Sequence, residues 1–273
     1  MRFTKAQSTG DRLAGSQKPW HAGFSLQQIN AIENPAEVLC HECLGRLTDV
    51  NGTTRTYGEV ATLLQMNGAL AAFDRLVIDL AAEWLANHPA DVLACNISVD
   101  AVAEPESLDR LLDLLDRHRS VASRLILEIT ETIPLTVLTS GSDVIQAARV
   151  LGYRVAIDDF GTGYANVDCL LATPVDIVKI DRCFVQQIGR REEALRFLAH
   201  LVGLAASVAP KVVVEGVETY SQFEAARSAG ATHVQGFLFS EPRLNAAVSR
   251  PIRANFGNTE SGGITGPLWP RTF

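Results

Sequence analysis

Apolar runs of strand length alternate with amphipathic stretches along this chain. The apolar runs fall at about residues 24–29, 38–46, 92–98, 124–130, 153–158, 175–181, 210–215 and 232–239. Apolar residues at helical spacing fall between them, near residues 58–66, 69–87, 107–118, 141–151, 192–207 and 219–229. Strands that are buried on both faces and alternate with helices are typical of a parallel sheet covered by helices. The pattern therefore predicts an α/β protein.

Eight strands in this order predict a TIM-like (β/α)8 barrel, and 273 residues suit one such domain, which typically has about 250. The segment between the first two predicted strands is too short for a parallel crossover. We therefore expect the first strand to form an antiparallel hairpin with the second, and the remaining strands to be parallel. We predict that the barrel domain spans residues 22–246, after a flexible leader at 1–21 and before a Gly/Pro-rich tail at 247–273.

Polar residues stand at or near the ends of most of these predicted strands. They are Glu42, Asn96, Glu128, Asp158 with Asp159, Lys179, Glu215 and Gln235. The carboxyl ends of barrel strands meet on one face, so these side chains should converge. Carboxylate and amide oxygens suit Mg²⁺ or Mn²⁺, and a pair of such ions can clamp the oxygens of a phosphoryl displacement. Each acid taken alone could instead be a salt-bridged strand end, and Lys179 could simply neutralise the acids.

Charge and cysteine content narrow the class of function. The formal net charge is −7, so no general attraction to a nucleic acid polymer is expected. No apolar run approaches the roughly 18 residues of a membrane span, and the N-terminus has no apolar signal-peptide core, which favours a cytoplasmic location. The chain has five cysteines, an odd number that argues against a disulfide framework. Cys40 and Cys43 form a CxxC spacing, but residues three apart on a strand face opposite ways, so we expect core thiols rather than redox or zinc chemistry.

A series of motifs connects these strand ends. They are Glu42-Cys43-Leu44, NIS at 96–98, LEITE at 127–131, DDFGTGY at 158–164, KIDRCFV at 179–185, EGVET at 215–219 and QGFLFSEP at 235–242. Over about residues 22–246 the chain resembles the EAL-domain phosphodiesterases, which hydrolyse cyclic di-GMP. The resemblance implies a metal-dependent phosphodiesterase that converts cyclic di-GMP to linear pGpG with two Mg²⁺ or Mn²⁺ ions.

The resemblance also implies a role for each matching residue. One ion would be held by Glu42, Asn96, Glu128 and Asp158, and the second by Asp158, Asp159 and Glu215. The catalytic residues would be Lys179, which positions the lytic water, and Glu215, the other candidate for activating it. The substrate would be bound by Gln27, Arg46 and Gln235, and the DFGTG loop would be supported by Glu131 and Glu218.

The chain departs from the family pattern near the substrate rather than near the metals. Cys43 replaces the alanine of the name motif, and Gln27-Gln28 replaces the usual Gln-Pro. The second departure puts guanine recognition and affinity in question more than the chemistry. The family commonly dimerises near the DFGTG loop, so we expect a homodimer in which Phe160 or Tyr164 couples the interface to the site. Because no cyclase or sensor domain is visible in the chain, control would come from dimerisation, the termini or a separate regulatory protein.

Two other classes of function are also compatible with the sequence. The first is a non-catalytic cyclic di-GMP receptor or protein-interaction module with the same fold. The second is another Mg²⁺-dependent barrel enzyme, such as a lyase that acts through an enolate. Metal-dependent hydrolysis of cyclic di-GMP by the purified chain separates the phosphodiesterase from the receptor.

Overall fold

Ten strands and eight helical segments make up the part of the chain that the computed structural model describes, residues 20–49, 51–130, 144–162, 175–191 and 193–252. The strands are β1 (Trp20–Ala31), β2 (Val38–Thr48), β3 (Thr54–Thr56), β4 (Leu93–Ile97), β5 (Leu125–Thr130), β6 (Arg154–Phe160), β7 (Ile177–Ile180), β8 (Lys211–Val214), β9 (His233–Gln235) and β10 (Arg243–Ile252). The helices are α1 (Tyr57–Met66), α2 (Leu70–Asn87), α3 (Val99–Ala103), α4 (Pro105–Arg117), α5 (144–150), α6 (Arg182–Val185), α7 (Ala194–Ala206) and α8 (Tyr220–Ser228). A 3-10 turn, Arg119–Arg124, precedes β5.

Eight of these strands close into a barrel. Their order is β1-β9-β8-β7-β6-β5-β4-β2, and pairing of β1 with β2 closes the ring. β1 is antiparallel to both of its barrel neighbours, whereas all the other neighbouring barrel strands are parallel. The prediction of a TIM-like barrel with one reversed strand, hairpinned to the second, is confirmed.

The barrel is extended beyond the strands that the apolar runs predict. β10 pairs with the first half of β1, and β3 pairs with the end of β2. β1 begins at Trp20 and β10 continues to Ile252, so these two strands extend beyond the residues 22–246 that we predict for the barrel domain. Arg250 of β10 forms ion pairs with Asp79 and Glu83 of α2, and these ion pairs connect β10 to the helix layer.

Two apolar layers hold the barrel together. The larger lies between the sheet and the helices, and the smaller fills the barrel interior. Cys40 belongs to the interior layer and Cys43 to the outer one, so the two thiols face opposite ways as expected from their spacing. Both are free and buried, as is Cys95, whereas Cys183 is exposed and Cys169 lies outside the described residues.

Candidate active site

A two-residue repeat along each strand builds the site. The interior apolar layer contains one residue from each of seven strands, and the polar residue two positions further on reaches the next level, at the carboxyl end of the barrel. In the reversed strand β1 the direction changes, so Gln27 precedes its interior residue Ile29. The pairs on the other strands are Cys40 and Glu42, Ala94 and Asn96, Ile126 and Glu128, Ala156 and Asp158, Ile177 and Lys179, and Val213 and Glu215.

Lys179 lies at the centre of this polar level. Its side chain is 1% exposed, and Nζ is 2.8 Å from Glu215 Oε1, 3.1 Å from Asp158 Oδ1, 3.2 Å from Glu128 Oε2 and 3.4 Å from Glu42 Oε2. The four acids come from four different strands or strand ends. The structure thus brings together the acids and the lysine that the strand-end pattern singled out.

Glu42 is also held by side-chain amides. Asn96 Nδ2 donates to Glu42 Oε1 at 3.0 Å, and Gln235 Nε2 donates to Glu42 Oε2 at 2.6 Å. Gln235 Nε2 lies 3.3 Å from Gln27 Oε1 as well, and Gln27 Nε2 donates to the Ser240 carbonyl at 3.0 Å. These hydrogen bonds connect β1, β2, β4 and β9 across the mouth of the barrel.

The carboxylates differ in their electrostatic state because their partners differ. Burial alone would raise the pKa of Glu42, but Lys179 and the two donating amides outweigh it and lower that pKa. For Glu128 and Glu215, burial and the neighbouring acids outweigh Lys179, so their pKa values are raised well above the usual range. Burial opposes the charge of Lys179, yet the four surrounding carboxylates raise its pKa. The site therefore holds a fixed cation among acids whose proton affinities differ.

The chain turns sharply between the two adjacent aspartates. Asp159 has φ 55°, in the left-handed region that non-glycine residues rarely adopt, and its N–H donates to Asp158 Oδ1 at 3.0 Å. The pairing of β6 with β7 is irregular at this point. This turn brings both carboxylates to the site although adjacent residues on a strand normally face apart. Burial, together with the neighbouring acids Asp158 and Asp181, raises the pKa of Asp159 to about 7.

Two groups of carboxylates have the spacing needed to hold cations. Oxygens of Glu42, Glu128 and Asp158 lie within 4.8 Å of one another, and so do oxygens of Asp158, Asp159 and Glu215. Asp158 belongs to both groups, as a bridging ligand would. In the described part of the chain, Oε2 of Glu128 and Oε1 of Glu215 are buried with no donor other than the Lys179 ammonium. An all-oxygen set with under-satisfied buried oxygens fits hard divalent cations.

The remaining predicted residues are placed less centrally. Arg46 is half-buried on β2, and its Nη1 donates to the carbonyls of Leu44 and Gly45. Glu218 is exposed, and its N–H donates to Gln222 in the capping box of α8. Glu131 and Tyr164 lie outside the described residues, as does Gly163, the last residue of the DFGTG loop.

One polar residue close to the site escaped the sequence analysis. Asp74 is buried on the sheet-facing side of α2, among apolar residues such as Leu70, Phe73 and Val77. The sequence contained one signal for this residue: Asp74 is a charged residue at a core position of an amphipathic helix. Such a residue is rarely buried without a partner, so its position indicates a buried interaction.

Comparison with known proteins agrees with this geometry. The EAL domain model matches residues 33–242. The chain belongs to the EAL domain family. The family match thus covers the polar residues of the site other than Gln27 and ends just before β10.

Named relatives and solved structures of the EAL domain family give the same assignment. The chain is 32% identical to the probable cyclic di-GMP phosphodiesterase PdeA of Escherichia coli K12 over 225 residues, which are 81% of this chain and 31% of that protein. It aligns with the PaMucR phosphodiesterase in complex with c-di-GMP at 28% identity and TM-score 0.72, covering 81% of this chain and 92% of that one. The FimX EAL domain of Pseudomonas aeruginosa bound to c-di-GMP aligns at 25% identity and TM-score 0.72, covering 81% and 90%.

The chain spans only about a third of the length of PdeA. Among the helices that are described, none combines the length and the apolar character needed to cross a membrane.

Proposed function

We propose that this chain is a metal-dependent phosphodiesterase that hydrolyses cyclic di-GMP to linear pGpG. The observation that carries the proposal is the pair of carboxylate groups that share Asp158 and surround Lys179. The named function of PdeA and the cyclic di-GMP bound to the PaMucR structure support the choice of substrate.

The charges of the site support two divalent ions. The two carboxylate groups contain five different acids, Glu42, Glu128, Asp158, Asp159 and Glu215, and Lys179 supplies one positive charge. With every acid ionised, the sum is 1 − 5 = −4, which two divalent cations balance. Glu42, Asn96, Glu128 and Asp158 would hold the first ion, and Asp158, Asp159 and Glu215 the second; Mg²⁺ and Mn²⁺ both suit such oxygen ligands.

The chemistry follows from charge and proton affinity. When bound, such ions lower the pKa of a coordinated water and offset charge on the phosphate oxygens. Glu215, whose carboxylate lies beside the Lys179 ammonium, can accept a proton of the lytic water. The Lys179 ammonium lies 2.8 Å from Glu215 Oε1, where it can orient that water. Arg46 presents a guanidinium on β2 that can pair with a phosphate of the substrate.

The amide groups at the barrel mouth suit a guanine-containing ligand. Gln235 Oε1 is buried, and no hydrogen-bond donor from the described residues reaches it. A buried acceptor without a donor is costly, so a ligand N–H that bonds there would gain affinity. Gln27, which contacts Gln235, would orient this amide from β1.

An activity assay tests the proposal. The purified chain should convert cyclic di-GMP to pGpG with Mg²⁺ or Mn²⁺, and EDTA should stop the reaction. Asp158→Asn should lose nearly all activity, because a shared carboxylate becomes a neutral amide. Asp176→Asn is a matched control: Asp176 directly precedes β7, where it pairs with Arg149 and accepts a hydrogen bond from the N–H of Val155 near the start of β6. If wild-type protein binds cyclic di-GMP but never cleaves it with either ion, the chain is a receptor and the enzyme assignment fails.

A homodimer is the assembly we propose. Phe197 and Leu204, seven residues apart on one side of α7, are 53% and 37% exposed. Phe197 stacks on Phe184 with ring centroids 5.6 Å apart, and a Cβ on Gly161 of the DFGTG loop would lie 2.7 Å from Phe184. The apolar face of α7 is therefore in packing contact with the loop that carries Asp159.

Light scattering tests the dimer. Phe197→Glu should yield a monomer with lower activity, whereas Val150→Glu, on exposed Val150 of α5, should leave both unchanged. A dimer that survives Phe197→Glu would place the interface elsewhere. Cytoplasmic location stays a prediction, which cell fractionation tests. Control by a separate regulatory protein also stays a prediction, which co-purification from the native cell tests.

A further inference from the structure

A buried carboxylate lies behind the strand end that carries Asn96. Asp74, on α2, is 4% exposed, and its Oδ2 accepts a hydrogen bond from the backbone N–H of Ser98 at 2.9 Å. Burial raises the pKa of Asp74 to about 6, against the opposing effects of Ser98 and Arg75. Packing alone does not explain a carboxylate in the core, because an apolar residue would fill the same space without the desolvation free energy of a buried charge.

The N–H that Asp74 holds is at a turning point of the chain. Ser98 follows the last residue of β4 and is the N-cap of α3, but its side chain makes no capping hydrogen bond. The carboxylate of Asp74 therefore accepts, from another helix, the N-cap N–H that an N3 side chain accepts in a capping box. Asn96 lies two residues before Ser98, and its amide donates to Glu42 at 3.0 Å.

We propose that Asp74 is a positioning residue for the metal site: by holding the Ser98 N–H it fixes the end of β4 and keeps Asn96 against Glu42. Asp74 itself is on the helix side of the sheet and does not enter the site. The inference rests on the proposed function in one respect, that Asn96 and Glu42 hold an ion. Partners outside the ligand shell typically change metal affinity about 10–100-fold when removed.

Metal titration of the native protein separates positioning from general stabilisation. Mn²⁺ binding is measured by calorimetry well below the unfolding temperature. Asp74→Ala should weaken Mn²⁺ binding about 10–100-fold, and Asp74→Asn should restore most of the affinity because an amide oxygen accepts the same N–H. Asp79→Ala is the matched control on the same helix: Asp79 pairs with His118 and Arg250 and makes no hydrogen bond to β4. It should lower the unfolding free energy and leave Mn²⁺ affinity unchanged.

Removing the donor tests the same hydrogen bond from its other side. Ser98 has φ −75°, which proline adopts, so Ser98→Pro deletes the N–H without straining that dihedral angle, and its ring Cδ displaces the Asp74 carboxylate. Ser98→Pro should weaken Mn²⁺ binding as Asp74→Ala does, and the double variant should be no weaker than either single one. Ser98→Pro also keeps the test decisive if Asp74→Ala does not fold.

A readout without metal distinguishes this inference from the proposed function. In metal-free protein, amide NMR should show faster hydrogen exchange at Ser98 and shifted Asn96 side-chain amide signals in Asp74→Ala, but not in Asp79→Ala. If wild-type protein bound no Mn²⁺, the proposed function would fail, while these signals would still decide whether Asp74 positions Asn96. Unchanged Asn96 signals in Asp74→Ala, or equal losses of Mn²⁺ affinity in Asp74→Ala and Asp79→Ala, would overturn the inference.

Discussion

Replacing Lys179 by methionine removes the cation at the centre of the site while keeping an unbranched side chain of similar length. In the wild-type protein, the ammonium faces four carboxylate oxygens at 2.8–3.4 Å. At an effective dielectric constant of about 20, a unit charge pair about 3 Å apart is worth about 5 kcal/mol before desolvation. Without the lysine, the buried acids lose the cation that lowers their pKa values, so the site takes up at least one proton more than in the wild-type protein.

The cost of that proton can be worked out. A glutamate with a usual pKa of about 4.3 costs about 4 kcal/mol to protonate at pH 7.5, at 1.36 kcal/mol for each pH unit. Breaking a buried ion pair by removing one partner typically costs about 3–5 kcal/mol, in agreement. We therefore expect Lys179→Met to lower the unfolding free energy of the metal-free protein by about 4 kcal/mol at pH 7.5.

Proton uptake gives the prediction a signature that lost packing cannot imitate. If the folded variant binds one more proton than the unfolded chain, its unfolding free energy falls by about 1.4 kcal/mol for each unit of rising pH, in addition to the wild-type slope. This slope applies above the pKa of the unfolded acid, so the window is about pH 6–8. Mn²⁺ should remove most of the deficit, because bound cations replace the missing charge.

Urea unfolding at several pH values, in EDTA and in Mn²⁺, measures these quantities. Lys211→Met is the matched control, since Lys211 begins β8 at the opposite end of the barrel. The control should be close to wild type under all conditions. A metal-free Lys179→Met variant with wild-type stability and wild-type pH slope would refute the view that Lys179 neutralises the acids.

Three further predictions follow from the same structure. Arg46→Ala should raise KM about 10–100-fold, because one charge-assisted hydrogen bond to the substrate is lost, and it should change kcat little. Steady-state kinetics in which kcat fell instead would contradict this. Gly236→Ala should destabilise the fold by about 1–3 kcal/mol or more, because its Cβ would lie 2.1 Å from the Val217 carbonyl oxygen. A variant with the same midpoint of urea unfolding as the wild-type protein would argue against that clash. The folded pKa of Asp159, about 7 against an ordinary 3.8, means that its stabilising contribution is complete below about pH 3.8 and lost as pH rises through about 7. Metal-free protein should therefore lose stability over this range in urea titrations, and Asp159→Asn should lose less.

The barrel and its polar level could be predicted from the sequence because both depend on strand parity. Residues two positions apart on a strand point to the same face of the sheet, whatever its twist. Lys179 must therefore point into the barrel, as Ile177 does. The short link between β1 and β2 likewise left only a hairpin. These are local geometric constraints, and they need no knowledge of tertiary contacts.

The strands at the barrel's edge could not be predicted in the same way. β3 consists of three exposed residues, and β10 contains arginine and proline, so neither forms an apolar run. β10 is stabilised by pairing with β1 and by the ion pairs of Arg250, all of which are distant in sequence. Asp74 escaped for the same reason: its partner, Ser98, is 24 residues away.

The sequence left two interpretations of Lys179, a neutraliser of acids and a positioner of water, and the structure suggests that they belong to two states of one site. Without metal, four acids surround the ammonium, and their negative charge requires it to stay buried among them. With two divalent ions, the five carboxylates and Lys179 sum to zero, so the acids no longer depend on the lysine for neutrality. The ammonium is then available to hold a water beside Glu215. The two states predict opposite metal dependence for Lys179→Met: its stability defect should be large in EDTA and small in Mn²⁺, whereas its catalytic defect, about 10²–10⁴-fold, should persist at saturating Mn²⁺. A variant whose activity recovered together with its stability would show that Lys179 acts only as a neutraliser.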